Sequence, residues 1–385
     1  MLAFAAKSLL TPAGTVARPL LLVESGRIVD AVSRDARAVP AGVPLRDFGD
    51  STLAPGFLDL HIHGSAGFDV MDDAPDALPR IEGLLARHGV TGYYATTVTA
   101  PMDTTLRALE RLADAVEKNA GERNRARLLG VHLEGPFISH ARKGMHPSEN
   151  LLPPKLETFD RLWQAARGRV RMLTIAPELE GATALIAEAA RRGILVSLGH
   201  SDADFAAALE GVKAGARHAT HTFNAMRPLD HRSPGILGLV LSDDRVSADL
   251  IADGIHLDPA TVKLLAAAKG PERTVLITDA TAATGMPDGH YHLGSTEIDV
   301  KDGHCTSHGR LAGSVLTLDQ AVRNLARFAG WSLQQAAGAA SWNPARVAGL
   351  AGKGALHPGA DADFVVLSPD GKVQQTFVAG VECPA

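Results

Sequence analysis

The sequence predicts an α/β protein, a (β/α)8 barrel of the TIM type with a small β-sandwich built from both chain termini. Three observations carry this. Eight short apolar runs, ending near His63, Thr97, Glu134, Ala176, His200, His221, Ala252 and Asp279, alternate with Ala-, Leu- and Arg-rich helical stretches such as 106–117 and 182–192. That is the pattern of strand–helix units closing into a parallel barrel. Both ends of the chain carry short β-rich runs split by Gly and Asp turns instead. No Gly-rich dinucleotide fingerprint follows any apolar run, which disfavours a doubly wound open sheet.

Taken in order, the start MLAFAAKSLL is apolar but has no basic segment ahead of it and no clear cleavage site after it. It reads as a first strand rather than a signal peptide. Leu20 to Val23, a turn over 24–27 and Ile28 to Val32 then form a hairpin signature. Near the other end, Asp363 to Leu367, a Pro369-Asp370-Gly371 turn and Val373 to Val378 repeat it. Termini often lie close in space, so residues 1–52 and 356–385 are expected to pair into one small domain around a catalytic barrel over 53–355. Gly289 to Gly309 reads as a β-hairpin inserted before the last barrel helix.

Composition excludes several classes. With 385 residues, 45% hydrophobic and 21% charged, the chain is long enough for a barrel of about 250 residues and a smaller unit. Its net charge of −5 offers no footprint for nucleic acid or an anionic membrane. No apolar run reaches the roughly 20 residues of a spanning helix. Two cysteines, Cys305 and Cys383, make no disulfide framework and suit a reducing cytoplasm.

The chemistry lies where the apolar runs stop. The first ends in His61-Ile62-His63, whose period-two spacing puts both imidazoles on one face. The third ends in Glu134, the fifth in His200, the sixth in His221 and the eighth in Asp279. Singly, each has an ordinary reading as a core histidine, helix cap or surface partner. In a (β/α)8 barrel, however, the C-terminal strand ends converge on one site, so these six side chains converge too. Imidazole and carboxylate without thiolate is the donor set of a catalytic divalent-metal site, zinc or a similar ion, which makes water a nucleophile near neutral pH. Asp279 is then placed to take a proton from that water and pass it to a leaving amine. A nucleophile elbow and a phosphate-cradling Walker loop are both absent.

At this point the motifs resemble a known family, the N-acetylglucosamine-6-phosphate deacetylases of the amidohydrolase superfamily. The matching stretches are Pro55 to Gly64, His132 to Phe137, Lys143 to Pro147, Gly199 to Ser201, His221 to Met226, Ile251 to His256, Thr278 to Ala280 and Leu311 to Ser314. The resemblance implies that Glu134, His200 and His221 hold the metal common to the family. It also implies that Asp279 is the acid/base and that His146 polarises the acetamide carbonyl. Met145, His146, Asn224, Ala225, Arg232, Asp253, Gly254, Ile255, His256, Leu311, Ala312 and Gly313 fall where the family holds the sugar and its phosphate. Some members replace the first His-x-His with amides and hold one metal. This chain keeps His61 and His63, which leaves open one ion or two, bridged by Glu134, with zinc, iron or another divalent ion as the metal. Met145 stands where other members carry a smaller residue.

Arg232 sits in a polar turn that has a plain solvated reading. A phosphate needs a cation, though, and a guanidinium grips it bidentately. The family's dimers place the phosphate near the interface, so a homodimer is expected, with Arg232 reaching across it. His304, Cys305 and His308 match no common zinc spacing and read as loop. Three alternatives remain. A galactosamine epimer of the substrate is one. A dihydroorotase or hydantoinase is another, opposed by the lack of a lysine where the fourth strand ends Thr174-Ile175-Ala176-Pro177-Glu178. A non-catalytic relative is the third, opposed by the full ligand set.

Overall fold

The computed structural model describes residues 1–118 and 124–384. Residues 119–123, inside the expected barrel, and Ala385, last of the expected terminal domain, lie outside the described residues. Eight parallel strands form the central sheet in chain order: Phe57–Ile62, Val90–Thr97, Arg127–Glu134, Val170–Ile175, Leu195–Leu198, His218–Ala219, Ser247–Ile251 and Thr274–Ile277. A parallel bridge between Ile62 and Ala280 joins the last to the first, and the Asp279 N–H donates to the His61 carbonyl at 2.9 Å. All eight end within two residues of their expected positions.

Helices cover the outside because their apolar stripes need a surface to bury against. Helix Ala182–Arg191, for example, buries Ala182, Leu185, Ile186 and Ala189, the i, i+3, i+4, i+7 face. Helix Phe205–Ala214 starts where the Asp204 side chain accepts the Ala207 N–H at 2.8 Å, which satisfies one of the orphan donors of its first turn. No helix among the described residues is long and apolar enough to cross a membrane.

The two termini interleave. A six-stranded sheet orders Val381–Glu382, Val373–Val378, Phe364–Leu367, Thr52–Pro55, Ser8–Thr11 and Gly14–Ala17. A four-stranded sheet of Arg27–Ser33, Pro19–Glu24, Leu2–Ala5 and Leu45–Asp47 shares a core with it through Phe4, Leu21, Val23, Leu53, Phe364 and Phe377. The expected hairpin turn closes at Ser25 and Gly26, with φ of 51° and 80°, the positive pair a type I′ turn requires. One expectation about the termini is corrected. The first ten residues are two strands in different sheets, because the chain crosses from one sheet to the other at the buried Ala6 and exposed Lys7.

The segment after the eighth strand is also richer than a hairpin. Gly289–Leu293, Thr296–Lys301, His304–Ser307 and Arg310–Leu311 form a four-stranded antiparallel meander. Its alternating burial turns Leu293, Ile298, Val300 and Cys305 against Val98, Ala283 and Ala312 beside the barrel mouth.

Candidate metal and substrate site

The strand ends do meet. Glu134 Oε1 lies 3.1 Å from His200 Nε2 and 3.0 Å from His221 Nε2, and the two nitrogens are 3.1 Å apart. Beside them, His61 Nε2 and His63 Nε2 are 3.2 Å apart, and Asp279 Oδ1 lies 3.4 and 3.1 Å from them. Glu134 joins the two groups, because its Oε2 is also 3.2 Å from His63 Nε2. All six residues are buried. The chain leaves its strands abruptly to aim three of them: His200, His221 and Asp279 have φ of 46°, 28° and 52°. For residues with a Cβ that conformation costs roughly 1–3 kcal/mol each and clusters at functional sites. Gly144 brings its loop close to His200, where an added Cβ would stand 3.2 Å from the ring.

Hydrogen bonding behind the rings decides what their front atoms can do. His63 Nδ1 lies 3.0 Å from the Thr96 carbonyl and His200 Nδ1 2.9 Å from the Arg142 carbonyl. A carbonyl only accepts, so each Nδ1 carries a proton. Burial opposes charging His63, but Asp279 and Glu134 outweigh it and raise its pKa. Its Nε2 therefore holds a second proton unless a cation takes that place, and an Nε2 without one is a bare lone pair. Those lone pairs face carboxylate oxygens and other imidazoles. Acceptors converging on acceptors call for a cation between them. Edges of about 3.3 Å follow from a tetrahedral ion with ligands at about 2.0–2.1 Å, close to the separations seen here. Glu134, His200 and His221 therefore fit one divalent ion, and His61, His63 and Asp279 fit a second.

His146 is wired the opposite way. The Thr99 N–H donates to its Nδ1 at 3.2 Å, so the proton of the neutral ring sits on Nε2, 3.5 Å from Glu134 Oε2. It is a donor facing the cavity rather than a metal ligand. Charge is unevenly tuned around it. Burial works against the Glu134 carboxylate, but the surrounding imidazoles outweigh burial and hold it well below its ordinary value. Asp279 is likewise brought down, against burial, to about 2 by His61 and His63. Burial pushes His200 down to about 4. Both carboxylates are thus ionised at neutral pH.

These groups open into a cavity of about 200 Å3, which Met145, His146, Asn224, Ala225, His256, Leu311, Ala312 and Gly313 also line. Asp253 is one step behind it: its Oδ1 accepts the Ile255 and His256 N–H groups at 2.8 Å and its Oδ2 lies 2.6 Å from His256 Nδ1. Asp253, with Gly254 and Ile255, forms the turn that presents His256, and these three do not line the cavity. Arg232 does not line it either. It lies on an exposed turn whose N–H groups bond to Asp230. Leu293, from the meander, lines the cavity without having been singled out, and the tautomer-setting Thr96, Thr99 and Arg142 were also missed. Their backbone atoms carry no side-chain signature.

Residues 52–383 match the amidohydrolase family along most of the chain. The chain belongs to the amidohydrolase family. It is 39% identical over 330 residues to an N-acetylglucosamine-6-phosphate deacetylase of Lysinibacillus sphaericus, covering 85% of this chain and 84% of that one. With an N-acetylgalactosamine-6-phosphate deacetylase of Escherichia coli O157:H7 it shares 40% over 369 residues, covering 94% and 96%. Among solved structures, a mutant N-acetyl-D-glucosamine-6-phosphate deacetylase of Mycobacterium smegmatis, in complex with N-acetyl-D-glucosamine-6-phosphate, superposes with a TM-score of 0.92. That pair is 36% identical, and 99% of this amidohydrolase and 98% of that chain are covered. The (β/α)8 architecture and the sheets contributed by the termini are therefore a shared frame.

Proposed function

We propose that this amidohydrolase removes the N-acetyl group of N-acetyl-D-glucosamine 6-phosphate, giving glucosamine 6-phosphate and acetate. The observation that carries the reading is the pairing of opposite tautomers: lone pairs of His63 and His200 towards the carboxylates, and an N–H of His146 towards the cavity. Glu134, His200 and His221 would hold one divalent ion and His61, His63 and Asp279 a second, with zinc favoured by the donor set and iron or another ion as the alternative. A bound ion supplies Lewis acidity and makes water acidic enough to lose its proton near neutral pH.

The chain's own residues do the rest. His146 Nε2–H donates to the acetamide oxygen and stabilises the charge that grows there as water adds to the carbonyl carbon. Asp279 accepts the proton of that water and returns it to the sugar nitrogen, so that the C–N bond breaks with the amine leaving neutral. Asn224, Ala225 and His256, with Leu311, Ala312 and Gly313, line the side that receives the sugar. Arg232 is assigned to the phosphate from a neighbouring subunit of a homodimer, since it stays out of its own cavity. Residues 1–52 with 356–385 act as one terminal domain beside the barrel at 53–355. The two buried, unpaired thiols, Cys305 and Cys383, support a reducing cytoplasm as its location.

The galactosamine epimer is a second reading, favoured by the 40% identity to the Escherichia coli relative. A cyclic-amide hydrolase is disfavoured, because the fourth strand runs out through Ala176-Pro177-Glu178 with no lysine to bridge two ions, whereas Glu134 reaches both groups of candidate ligands. Measuring acetate release from both epimers, with and without the 6-phosphate and before and after chelation, tests the proposal. Release should be fastest from the phosphorylated gluco epimer and should stop on chelation while most of the fold persists. Preference for an unphosphorylated sugar, or full activity in metal-free protein, would sink it.

A further inference from the structure

Two of the metal-facing histidines lack the rear support that the other two have. His61 Nδ1 and His221 Nδ1 are buried and have no hydrogen-bond partner among the described residues. Ring direction at these positions must therefore be set through the backbone. At His221, whose φ is 28°, the support comes from Asp249. This carboxylate is fully buried in the seventh strand and outside the cavity lining. Its Oδ1 accepts the His221 N–H, and its own carbonyl accepts the next N–H, that of Thr222, at 3.0 Å. On the other side, Asp249 Oδ2 lies 3.1 Å from His218 Nε2, and His218 Nδ1 lies 2.7 Å from Ser247 Oγ. An apolar side chain would fill this inward position without the cost of burying a charge. What the carboxylate adds is a charge-assisted bond on the strained residue that presents the ligand.

The same construction recurs at the other unsupported ring. Asp59, also fully buried, accepts the His61 N–H and the Thr278 N–H at 3.3 Å each through Oδ1, and the Thr278 hydroxyl at 2.6 Å through Oδ2. Among the described residues, the rings held at Nδ1 have no carboxylate on their backbone N–H, whereas the rings free at Nδ1 do.

We infer that Asp249, steadied by His218, is a positioning residue that sets how tightly the barrel mouth holds a divalent ion, acting through the backbone of His221. This rests on the reading of Glu134, His200 and His221 as metal ligands. The test is Zn2+ affinity, measured by competition with a chromophoric chelator, together with the melting temperature of the metal-free protein. Outer partners of metal ligands typically contribute about 10–100-fold in affinity, and Asp249→Ala should lose that much. Asp249→Asn keeps an acceptor oxygen of the same shape and should recover most of it. Phe377→Ala, in the terminal sandwich, should lower the melting temperature without moving Zn2+ affinity. If Asp249→Ala does not fold, His218→Gln decides: weakened Zn2+ binding supports the inference and wild-type binding overturns it. Zn2+ bound by wild type and by Asp249→Ala alike, or weakened no more than in Phe377→Ala, overturns this inference alone. A wild type that binds no Zn2+ overturns the metal reading and this inference with it.

Discussion

The terminal sandwich and the barrel mouth both use left-handed backbone, at Ser25 and Gly26 in one and at His200, His221 and Asp279 in the other. In the sandwich the conformation closes a tight turn, and the strands it joins bury Leu20, Leu21, Leu22 and Ile28. The core beneath is aromatic, with Phe364 and Phe377 stacked at 4.4 Å and Phe4 edge-on to both at 5.0 and 5.3 Å. Burial of those rings favours folding. At the mouth the same conformation is taken by residues with buried polar side chains, and it drives carboxylates and imidazoles together where water would solvate them better. The contrast separates a region selected for stability from one in which stability is given up for direction. Substitutions should therefore split cleanly: those in the sandwich alter melting and leave turnover per folded molecule, and those at the mouth do the reverse.

The largest effect is expected at Asp279. Asp279→Asn keeps the shape but cannot take a proton, and kcat of the folded molecule should fall about 10²–10⁴-fold. A variant that turns over within a few-fold of wild type would move the acid/base role to another group. Next, Phe377→Ala removes a buried ring and should cost about 3–5 kcal/mol of stability, read by denaturant titration. The contrast breaks if kcat of the folded fraction falls in parallel.

Arg232→Ala should lower kcat/KM about ten- to a hundred-fold for the phosphorylated sugar, the worth of a charge-assisted bond, and far less for the unphosphorylated one. Equal losses on both would make Arg232 structural, and full activity in a dilute monomer would remove the trans assignment. The smallest effect belongs to Asp319, in helix Leu318–Ala329. Burial opposes its charge, but bonds with His88 Nδ1 at 3.0 Å and Arg323 at 2.7 Å outweigh burial and hold it at about 2. A folded-state value below that of the unfolded chain stabilises fully above about pH 4 and loses that contribution as pH falls towards 2. The stability gap between wild type and Asp319→Asn, about 2 kcal/mol at neutral pH, should close over that window in acid melts. A gap constant from pH 7 to 2 would assign the loss to packing instead.

Much of this arrangement was legible in the sequence because the barrel announces itself twice, in each apolar run and in the polar residue that ends it. Phe57 to His63 and Val275 to Asp279 carry both signals, so strand and candidate ligand are legible together. The split at Ala6 and Lys7 was not legible, because ten mostly apolar residues look alike whether they stay in one sheet or change sheets. Neither was the wiring of the imidazoles. His63, His146 and His200 have the same side chain, and what distinguishes their wiring is a carbonyl or an N–H brought to Nδ1 by another strand or loop. The meander's Leu293 was hidden for a related reason: only its place over the mouth gives it a role.

The strand at Thr52–Pro55 pairs on one side with Ser8–Thr11 and on the other with Phe364–Leu367. On a ribosome, its second neighbour emerges only after nearly the whole barrel has been made. At 5–20 residues per second that is a delay on the order of tens of seconds. Through it, the N-terminal half of the sandwich must wait with an open hydrogen-bonding edge, the kind of surface that recruits other chains. The nascent polypeptide is therefore exposed to aggregation along the free edge of Thr52–Pro55 until Phe364–Leu367 is made and closes the sheet.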